Sequence, residues 1–251
     1  MSDGRPAIVV ARDAAALAKL AADRIASALA EAARGSAGAR PVSVALAGGR
    51  TPRAAYVLLA RDRRVPWERL DVFLGDERCV PPSSEQSNLR MVREALAEAA
   101  GRLRPEAIQA PWPPEVAAES QGAGPPAPAA LERAARAYET RLPERIDLLL
   151  LGVGADGHVA SLFPGSPALG ETERRVVPAR APVAPHERLT ITPPVIAAAR
   201  RLLVLVSGAD KAEAVARALA PTAGPDAPPA RLARRATWLL DRASAAKLSR
   251  A

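Results

Sequence analysis

Short apolar runs alternate with amphipathic stretches along most of the chain. The runs that predict strands lie at 42–46, 70–74, 146–151, 202–206 and 237–240. The run at 146–151 is almost wholly apolar, which is typical of a strand buried on both faces in a parallel sheet. An alternating run at 188–192 predicts one more strand.

Helical periodicity fills the intervals between these runs. Asp13 has the character of a helix N-cap, and apolar residues follow it at helical spacing as far as Leu29. Thr51-Pro52 has the form of an N-cap followed by proline at the first helical position. Further helices are predicted at 54–60, 89–100 and 212–219, and Asp241 is predicted to cap a terminal helix.

This order of elements predicts one α/β domain over residues 1–251. Strand–helix alternation implies a Rossmann-like, mostly parallel sheet flanked by helices. Ligands of such sheets bind at the carboxyl ends of the strands. The segments 111–129 and 221–229 are rich in proline and small residues. We interpret both as surface loops inside the domain, because the strand pattern resumes after each.

Composition narrows the possible functions. Of the 251 residues 49% are hydrophobic, enough for a large core, but only 3% are aromatic, too few for a platform that stacks nucleic-acid bases. The formal net charge is +8. The basic residues are scattered among acids, so we predict no nucleic-acid partner and only a field that attracts anionic substrates. We expect a monomer or weak homo-oligomer.

The location and redox chemistry follow from what the sequence lacks. No apolar stretch reaches membrane-spanning length, and residues 1–10 carry no secretory signal. We therefore expect a cytoplasmic protein without a membrane partner. Cys79 is the only cysteine, which excludes a disulfide framework and a thiolate zinc cluster.

Gly48 and Gly49 follow the strand predicted at 42–46 and precede a helix. Two glycines allow a tight turn with exposed backbone N–H groups, and the positive end of the next helix points to the same place. This is a generic phosphate cradle. The Gly-Lys-Ser/Thr of a P-loop is missing, which argues against a nucleoside triphosphate. An ordinary strand-to-helix turn explains these residues equally well.

A charged triplet, Asp76-Glu77-Arg78, follows the strand predicted at 70–74. Two adjacent carboxylates and a guanidinium at a sheet end suit acid–base or binding chemistry, but they also suit a solvated loop. Ser87-Asn88, further on, has a simple interpretation as a helix cap.

The glycine-rich segment 152–164 carries Asp156 and His158 directly after a predicted strand. Its Gly-x-Gly-x-x-Gly spacing is that of a dinucleotide site, but Pro164 prevents a long helix from starting there. A histidine in a glycine-rich loop has little apolar packing to explain it and suits general acid–base duty. Asp156 then orients the imidazole or touches the substrate. One histidine and scattered carboxylates offer too few ligands for a metal site.

Lys211 begins the helix predicted at 212–219. A cation at a helix N-terminus is unfavourable unless an anion binds there, and a surface lysine is the alternative interpretation.

Six motifs together resemble one family. They are Gly-Gly-Arg-Thr-Pro at 48–52, Asp-Glu-Arg at 76–78 with Ser87-Asn88 downstream, Gly-Val-Gly-Ala-Asp-Gly-His-Val-Ala-Ser-Leu-Phe-Pro-Gly at 152–165, Arg-Leu-Thr-Ile-Thr-Pro-Pro at 188–194, Gly-x-x-Lys at 208–211 and Thr-Trp-Leu-Leu-Asp at 237–241. In this order they resemble the lactonase branch of the glucosamine-6-phosphate isomerase/6-phosphogluconolactonase family, over nearly the whole chain. The Asp-Gly-His-x-Ala-Ser-Leu-Phe-Pro stretch is the most specific.

The resemblance implies a fold shared with glucosamine-6-phosphate deaminases and ribose-5-phosphate isomerase. It also implies a cofactor-independent hydrolysis of 6-phospho-D-glucono-1,5-lactone to 6-phosphogluconate, the second step of the oxidative pentose phosphate pathway.

The resemblance further assigns roles to single residues. His158 becomes the general base that activates water, and Asp156 orients it or contacts the sugar. Residues implied to bind substrate are Gly48, Gly49 and Thr51 at the phosphate, Lys211 with Arg78 or Arg188 as a cationic clamp, and Asp76 and Glu77 at sugar hydroxyls or behind His158.

Two positions depart from the family pattern Ser-Gly-Gly-Ser-Thr-Pro. Ala47 and Arg50 replace the serines, so that Arg50 either reaches the phosphate in their place or faces solvent. The rival functions are a phosphosugar deaminase or isomerase on the same fold and a non-catalytic phosphosugar-binding regulator. Ala-Ser-Leu-Phe-Pro after the histidine favours the lactonase, and the chain has no helix-turn-helix segment for a regulator.

Overall fold

The computed structural model describes residues 6–36, 40–113, 116, 126–224 and 227–248. The strands are β1 Ala7–Ala11, β2 Val42–Leu46, β3 Leu70–Leu74, β4 Asp76–Arg78, β5 Leu148–Gly152, β6 Val176–Arg180, β7 Glu187–Ile191, β8 Arg201–Val206 and β9 Thr237–Asp241. The α-helices are α1 Ala14–Gly35, α2 Arg50–Leu59, α3 Asn88–Ala95, α4 Pro128–Glu139, α5 Pro193–Ala198 and α6 Ala212–Leu219. Short 3-10 helices include Ala97–Arg102, Ala209–Lys211 and Pro229–Ala233.

Among the described residues, six strands form a parallel sheet in the order β1-β9-β8-β5-β2-β3. Its side chains alternate between two buried faces. Leu148 and Leu150 belong to the hydrophobic cluster that includes α1, α2 and α3, whereas Leu149 and Leu151 belong to the cluster that includes α4 and α6. The predicted parallel sheet flanked by helices is therefore confirmed.

A second, antiparallel sheet has the order β4-β7-β6. The strand predicted at 188–192 lies there as β7 and not in the parallel sheet. Only Gly75 separates β3 from β4, so the chain passes directly from one sheet to the other. This step places the charged triplet at the carboxyl edge of the parallel sheet.

Three predicted elements differ from the structure. The helix predicted at 89–100 ends at Ala95 and continues as a 3-10 helix. Helix α4 begins at Pro128, inside a segment predicted as loop; residues 114–115 and 117–125 of that segment, and 225–226 of the second loop, lie outside the described residues. Residues 242–248 form turns, so the predicted terminal helix is wrong over that range. The Asp241 carboxylate instead accepts a hydrogen bond from Ser244 N, 2.8 Å away, and closes a turn.

A buried carboxylate joins two strands at the amino ends of the parallel sheet. Asp147, just before β5, accepts two hydrogen bonds of 2.6 Å from the Arg40 guanidinium and two more from Ser43 N and Oγ. Burial raises the pKa of Asp147, but these hydrogen bonds outweigh it and place the pKa below its usual value. Asp147 thereby joins β5 to β2. Among the described residues, none of the helices combines the length and apolarity needed to cross a membrane.

Candidate active site

The carboxyl ends of β2, β3, β5 and β8 surround one cavity of about 300 Å³. Its wall includes Gly48, Gly49, Arg50 and Thr51 after β2, Asp76 and Arg78 after β3, Gly154 and His158 after β5, and Ser207, Asp210 and Lys211 after β8. Segments far apart in sequence meet here because parallel strands end at the same edge of a sheet. Most of the residues selected from the sequence therefore share one site.

Both residues of the glycine turn after β2 favour glycine, one for lack of space and the other for its backbone conformation. A Cβ on Gly48 would lie 2.1 Å from Asn88 Oδ1, and Gly49, the N-cap of α2, has a φ of +104° that favours glycine. No described side chain caps the first turn of α2. Its N–H groups, with the positive end of the helix dipole, remain available to an anion.

A buried phenol holds the residue that precedes this turn. Tyr56 is fully buried; its hydroxyl accepts a hydrogen bond from Ala47 N and donates one to Ala47 O, both at 3.0 Å. Burial raises the pKa of Tyr56 far above its usual value, so the phenol stays neutral and can play both parts. Tyr138 holds Leu74, at the end of β3, with the same pair of hydrogen bonds.

The loop after β5 presents an Asp–His pair to the cavity. Asp156 Oδ1 lies 2.6 Å from His158 Nδ1 and also accepts a hydrogen bond from His158 N at 3.1 Å. A carboxylate only accepts, so Nδ1 carries a proton, and in the neutral imidazole the free lone pair is then on Nε2. A Cβ on Gly154 would lie 2.1 Å from His158 Nδ1, which explains the glycine there. The ring of Phe163 packs against the imidazole, with 4.7 Å between ring centroids.

Hydrogen bonds fasten this loop to the second sheet. Ser161 Oγ donates to Asp76 Oδ2 at 2.6 Å, and Ser161 N donates to Thr190 Oγ1 at 3.1 Å. On the other side of the loop, Ala230 N donates to Gly157 O at 2.9 Å. The Asp–His pair is consequently held from both sides.

Lys211 closes the cavity at the end of β8. Its ammonium is paired with the exposed carboxylate of Asp210, and the hydrogen bond from Lys211 lowers the pKa of that carboxyl. The turn before it is held by Asp241, which accepts hydrogen bonds from Ser207 Oγ at 2.5 Å and from Gly208 N at 3.2 Å. The charge of Arg50, which also lines the cavity, contributes a little to lowering the pKa of Asp210.

Glu77 lies outside the cavity wall and is committed to helix α3. Its carboxylate is 2% exposed and accepts hydrogen bonds from Asn88 N at 2.8 Å, Leu89 N at 2.7 Å and Ser87 Oγ at 3.1 Å. Ser87 caps α3 as predicted, since its hydroxyl accepts from Arg90 N. Glu77 thus neutralises the N-terminus of α3 and has little capacity left for a sugar hydroxyl.

Arg188 also lies outside the wall, buried in β7 opposite Arg78 of β4. Other groups, to which the sequence assigned no catalytic or binding role, also shape the cavity. Asn88 lines it and donates from Nδ2 to Asp76 O at 3.0 Å. Ser161 lies inside the 152–165 motif and Tyr56 in the helix predicted at 54–60, but their hydrogen-bond partners are set by the fold.

The fold and the site together define a class: an α/β protein whose sheet edge holds an anion cradle beside an Asp–His pair. Residues 12–240 match the family described as glucosamine-6-phosphate isomerases/6-phosphogluconolactonase, and the chain belongs to this family.

Relatives and solved structures resemble the whole chain. The 6-phosphogluconolactonase of Streptomyces coelicolor is 40% identical, over 100% of this chain and 97% of its own. The structure of 6-phosphogluconolactonase from Trypanosoma brucei superposes with a TM-score of 0.84 and 31% identity, covering 98% of this chain and 99% of that one. A monomeric glucosamine-6-phosphate deaminase, 22% identical with a TM-score of 0.74 over 96% of this chain and 99% of that one, shares the fold.

Proposed function

We propose that this protein hydrolyses 6-phospho-D-glucono-1,5-lactone to 6-phosphogluconate, the second step of the oxidative pentose phosphate pathway. The observation that carries the proposal is the His158–Asp156 pair, 2.6 Å apart, in the same cavity as the glycine turn. The names of the relatives supply the reaction, and the geometry supplies a base and a phosphate cradle for it. No cofactor enters the proposed reaction.

In the proposed reaction, His158 Nε2 takes a proton from water as the water oxygen bonds to the C1 carbonyl carbon. The bond between C1 and the ring oxygen then breaks, and the imidazolium returns the proton to that oxygen, which becomes the C5 hydroxyl. The carboxylic acid formed at C1 loses a proton to solvent. Asp156 keeps the imidazole in the required tautomer and stabilises its charged form.

The phosphate is proposed to bind over the end of β5. In the sheet, β5 lies between β8, which leads to Lys211, and β2, which leads to the glycine turn. Gly48, Gly49 and Thr51 offer backbone and side-chain donors from one side, and Arg50 and Lys211 add charge. In this proposal the Arg50 guanidinium supplies the hydrogen-bond donors that serine hydroxyls supply in the family pattern. Asp76 is proposed to bind sugar hydroxyls on the β3 side.

The test is a coupled assay in which the lactone is made in situ from glucose 6-phosphate and 6-phosphogluconate is followed through its dehydrogenase. The wild type should accelerate ring opening, and H158A should lose about 10²–10⁴-fold in rate. H186A is the matched control, because the His186 side chain lies at the β6–β7 turn with Nδ1 2.9 Å from Ala181 O.

If H158A retained the wild-type rate, the proposed role of His158 as the base would be refuted, but the proposed lactonase activity would stand. No acceleration by the wild type would refute the proposed function and direct the assay to the deaminase and isomerase substrates. Equal losses in H158A and H186A would indicate that the effect is on folding.

A further inference from the structure

Strand β1 is an exposed apolar edge of the parallel sheet. Its sequence, Ala-Ile-Val-Val-Ala, contains no polar or charged side chain. Ile8 is 42% exposed and Val10 48%, and both project to one face because side chains alternate along a strand. Val9 and Ala11 pack on the other face, against the hydrophobic cluster that includes α1. Within the described ranges β1 pairs with β9 alone, so the backbone N–H and C=O groups on its outer side have no strand to bind.

The other sheet edges of the described structure are protected. At the opposite border of the parallel sheet, residues after β3 cover it: Val72 N donates to Ala107 O at 2.8 Å, and Gln109 N donates to Val72 O at 2.9 Å. In the small sheet, β4 has only three residues, and β6 contains Pro178, which has no N–H for another strand. Covering chain, short strands, prolines and charges are the means by which proteins prevent association between sheet edges. Among the residues that the structure describes, β1 has none of these protections.

The side chains of β1 are complementary to those of a second β1. When two copies pair antiparallel about a twofold axis at Val9, Ile8 of one copy lies opposite Val10 of the other. Cross-strand pairs of apolar, β-branched residues are favourable. The nearest charges are the exposed ion pair of Arg12 with Asp13, 3.0 Å apart, which follows the strand. In this pairing the two copies of Arg12 lie at opposite ends of the ladder, about 20 Å apart, so they do not repel.

We propose that β1 binds β1 of a second copy of this chain, so that the two parallel sheets join into one continuous sheet. Only an extended strand offers donors and acceptors in the order that a bare edge requires. A second copy also brings the matching apolar pair, Ile8 and Val10, to the same face. The strands of the two joined sheets run in opposite directions, so the two cavities, each at the carboxyl ends of its own strands, lie at opposite edges of the dimer.

The size of the contact predicts its strength. A ladder of five residues makes a small interface, and interfaces below roughly 1,200 Å² belong to transient complexes. We therefore expect a weak dimer, monomeric at roughly 1 µM protein and largely associated at roughly 500 µM.

Sedimentation velocity across this concentration range measures the association, and variants of the two exposed side chains test the register. In I8K/V10K, lysine lies opposite lysine across the paired strands, so the Kd should rise at least about tenfold. In I8K/V10E, the same register places each lysine opposite a glutamate of the other copy, so association should return. V183K is the matched control, because Val183 is more exposed than either residue but lies outside β1, and this variant should associate as the wild type does.

Return of the dimer in I8K/V10E supports both the edge and its pairing about Val9. A wild type that stays monomeric at every concentration overturns the proposal, whatever else covers the edge. Association of I8K/V10K as strong as that of the wild type also overturns it, and so does an I8K/V10E variant that remains monomeric. The Tm of both double variants at about 1 µM should lie within about 2 °C of the wild type, since the replaced side chains are exposed. V10K alone, at the more exposed position, carries the test if I8K/V10K does not fold.

Discussion

Replacing Tyr56 by Phe tests how the glycine turn is supported. The change removes one oxygen and leaves the ring in its buried place, so packing is preserved. It strips Ala47 N–H and C=O of their partner, and each hydrogen bond is 3.0 Å long in the structure. A buried backbone group without a partner costs about 1–3 kcal/mol, so the two together cost about 2–6 kcal/mol. For a chain of this length, the Tm should fall by roughly 4–24 °C.

Y138F is the matched control. In the wild type the Tyr138 hydroxyl makes the same two hydrogen bonds to Leu74, at 2.7 and 3.1 Å, and Tyr138 is buried as Tyr56 is. Both variants should therefore lose similar stability. Only Y56F loosens the residue that precedes Gly48, so only Y56F should weaken binding of glucitol 6-phosphate and raise KM, by about tenfold if the loss is about 1.4 kcal/mol.

The measurements are thermal unfolding, calorimetric binding of glucitol 6-phosphate, and the coupled assay below both Tm values. Equal KM values for Y56F and Y138F at equal stability would refute the idea that the phenol positions the turn. A Tm for Y56F within about 1 °C of the wild type would refute the energetic reasoning, because the orphaned groups would have found other partners.

Three other predictions concern other parts of the molecule. In G154A the new methyl group displaces the His158 ring, so kcat should fall toward that of H158A while glucitol 6-phosphate still binds by calorimetry; a wild-type kcat would contradict this. In D241N an NH2 group replaces one of the oxygens that accept hydrogen bonds from Ser207 Oγ and Gly208 N, so the turn before Lys211 is held less firmly. KM should rise about tenfold with little change in kcat, and an unchanged KM would contradict this. The pKa of Asp147 is lowered in the folded state, so its contribution to stability is full above its unfolded pKa of about 4 and is lost as the pH falls through its folded pKa. The stability of D147N should therefore depend less on pH in the acid range than that of the wild type, as measured by unfolding at several pH values.

The sequence predicted the central strands because they are buried on both faces and punctuated by glycine. The missed strands lie at edges: β1 is largely exposed along the border of the parallel sheet, and β6 contains a proline and borders the small sheet. β1 is apolar throughout but short and without alternation, and the proline in β6 argues against a strand there. Helix α4 was hidden by the proline- and alanine-rich composition of its approach.

The sequence alone indicates which polar side chains lie together when they belong to one segment, but not when their arrangement depends on partners distant in sequence. Asp156 and His158 are two positions apart in one loop, so the sequence alone suggested that they interact. Glu77 has the same chemistry as Asp76, but it faces the N-terminus of α3, and the sequence alone does not give that direction. Asp241 was predicted to cap a helix because two of its partners, Ser207 and Gly208, lie more than thirty positions away in the sequence.

The position of β9 has a consequence for how the sheet assembles. β9 lies between β8 and β1, so β1, which precedes the other described strands in sequence, gains its neighbour in the sheet only when β9 joins. β2, β3, β5 and β8, which surround the cavity, are consecutive in the sheet and do not need β9 in order to pair with one another. Asp241, at the end of β9, fixes the turn before Lys211. The sheet around the cavity can therefore form without β9, but the turn that carries Lys211 is fixed only once β9 has joined.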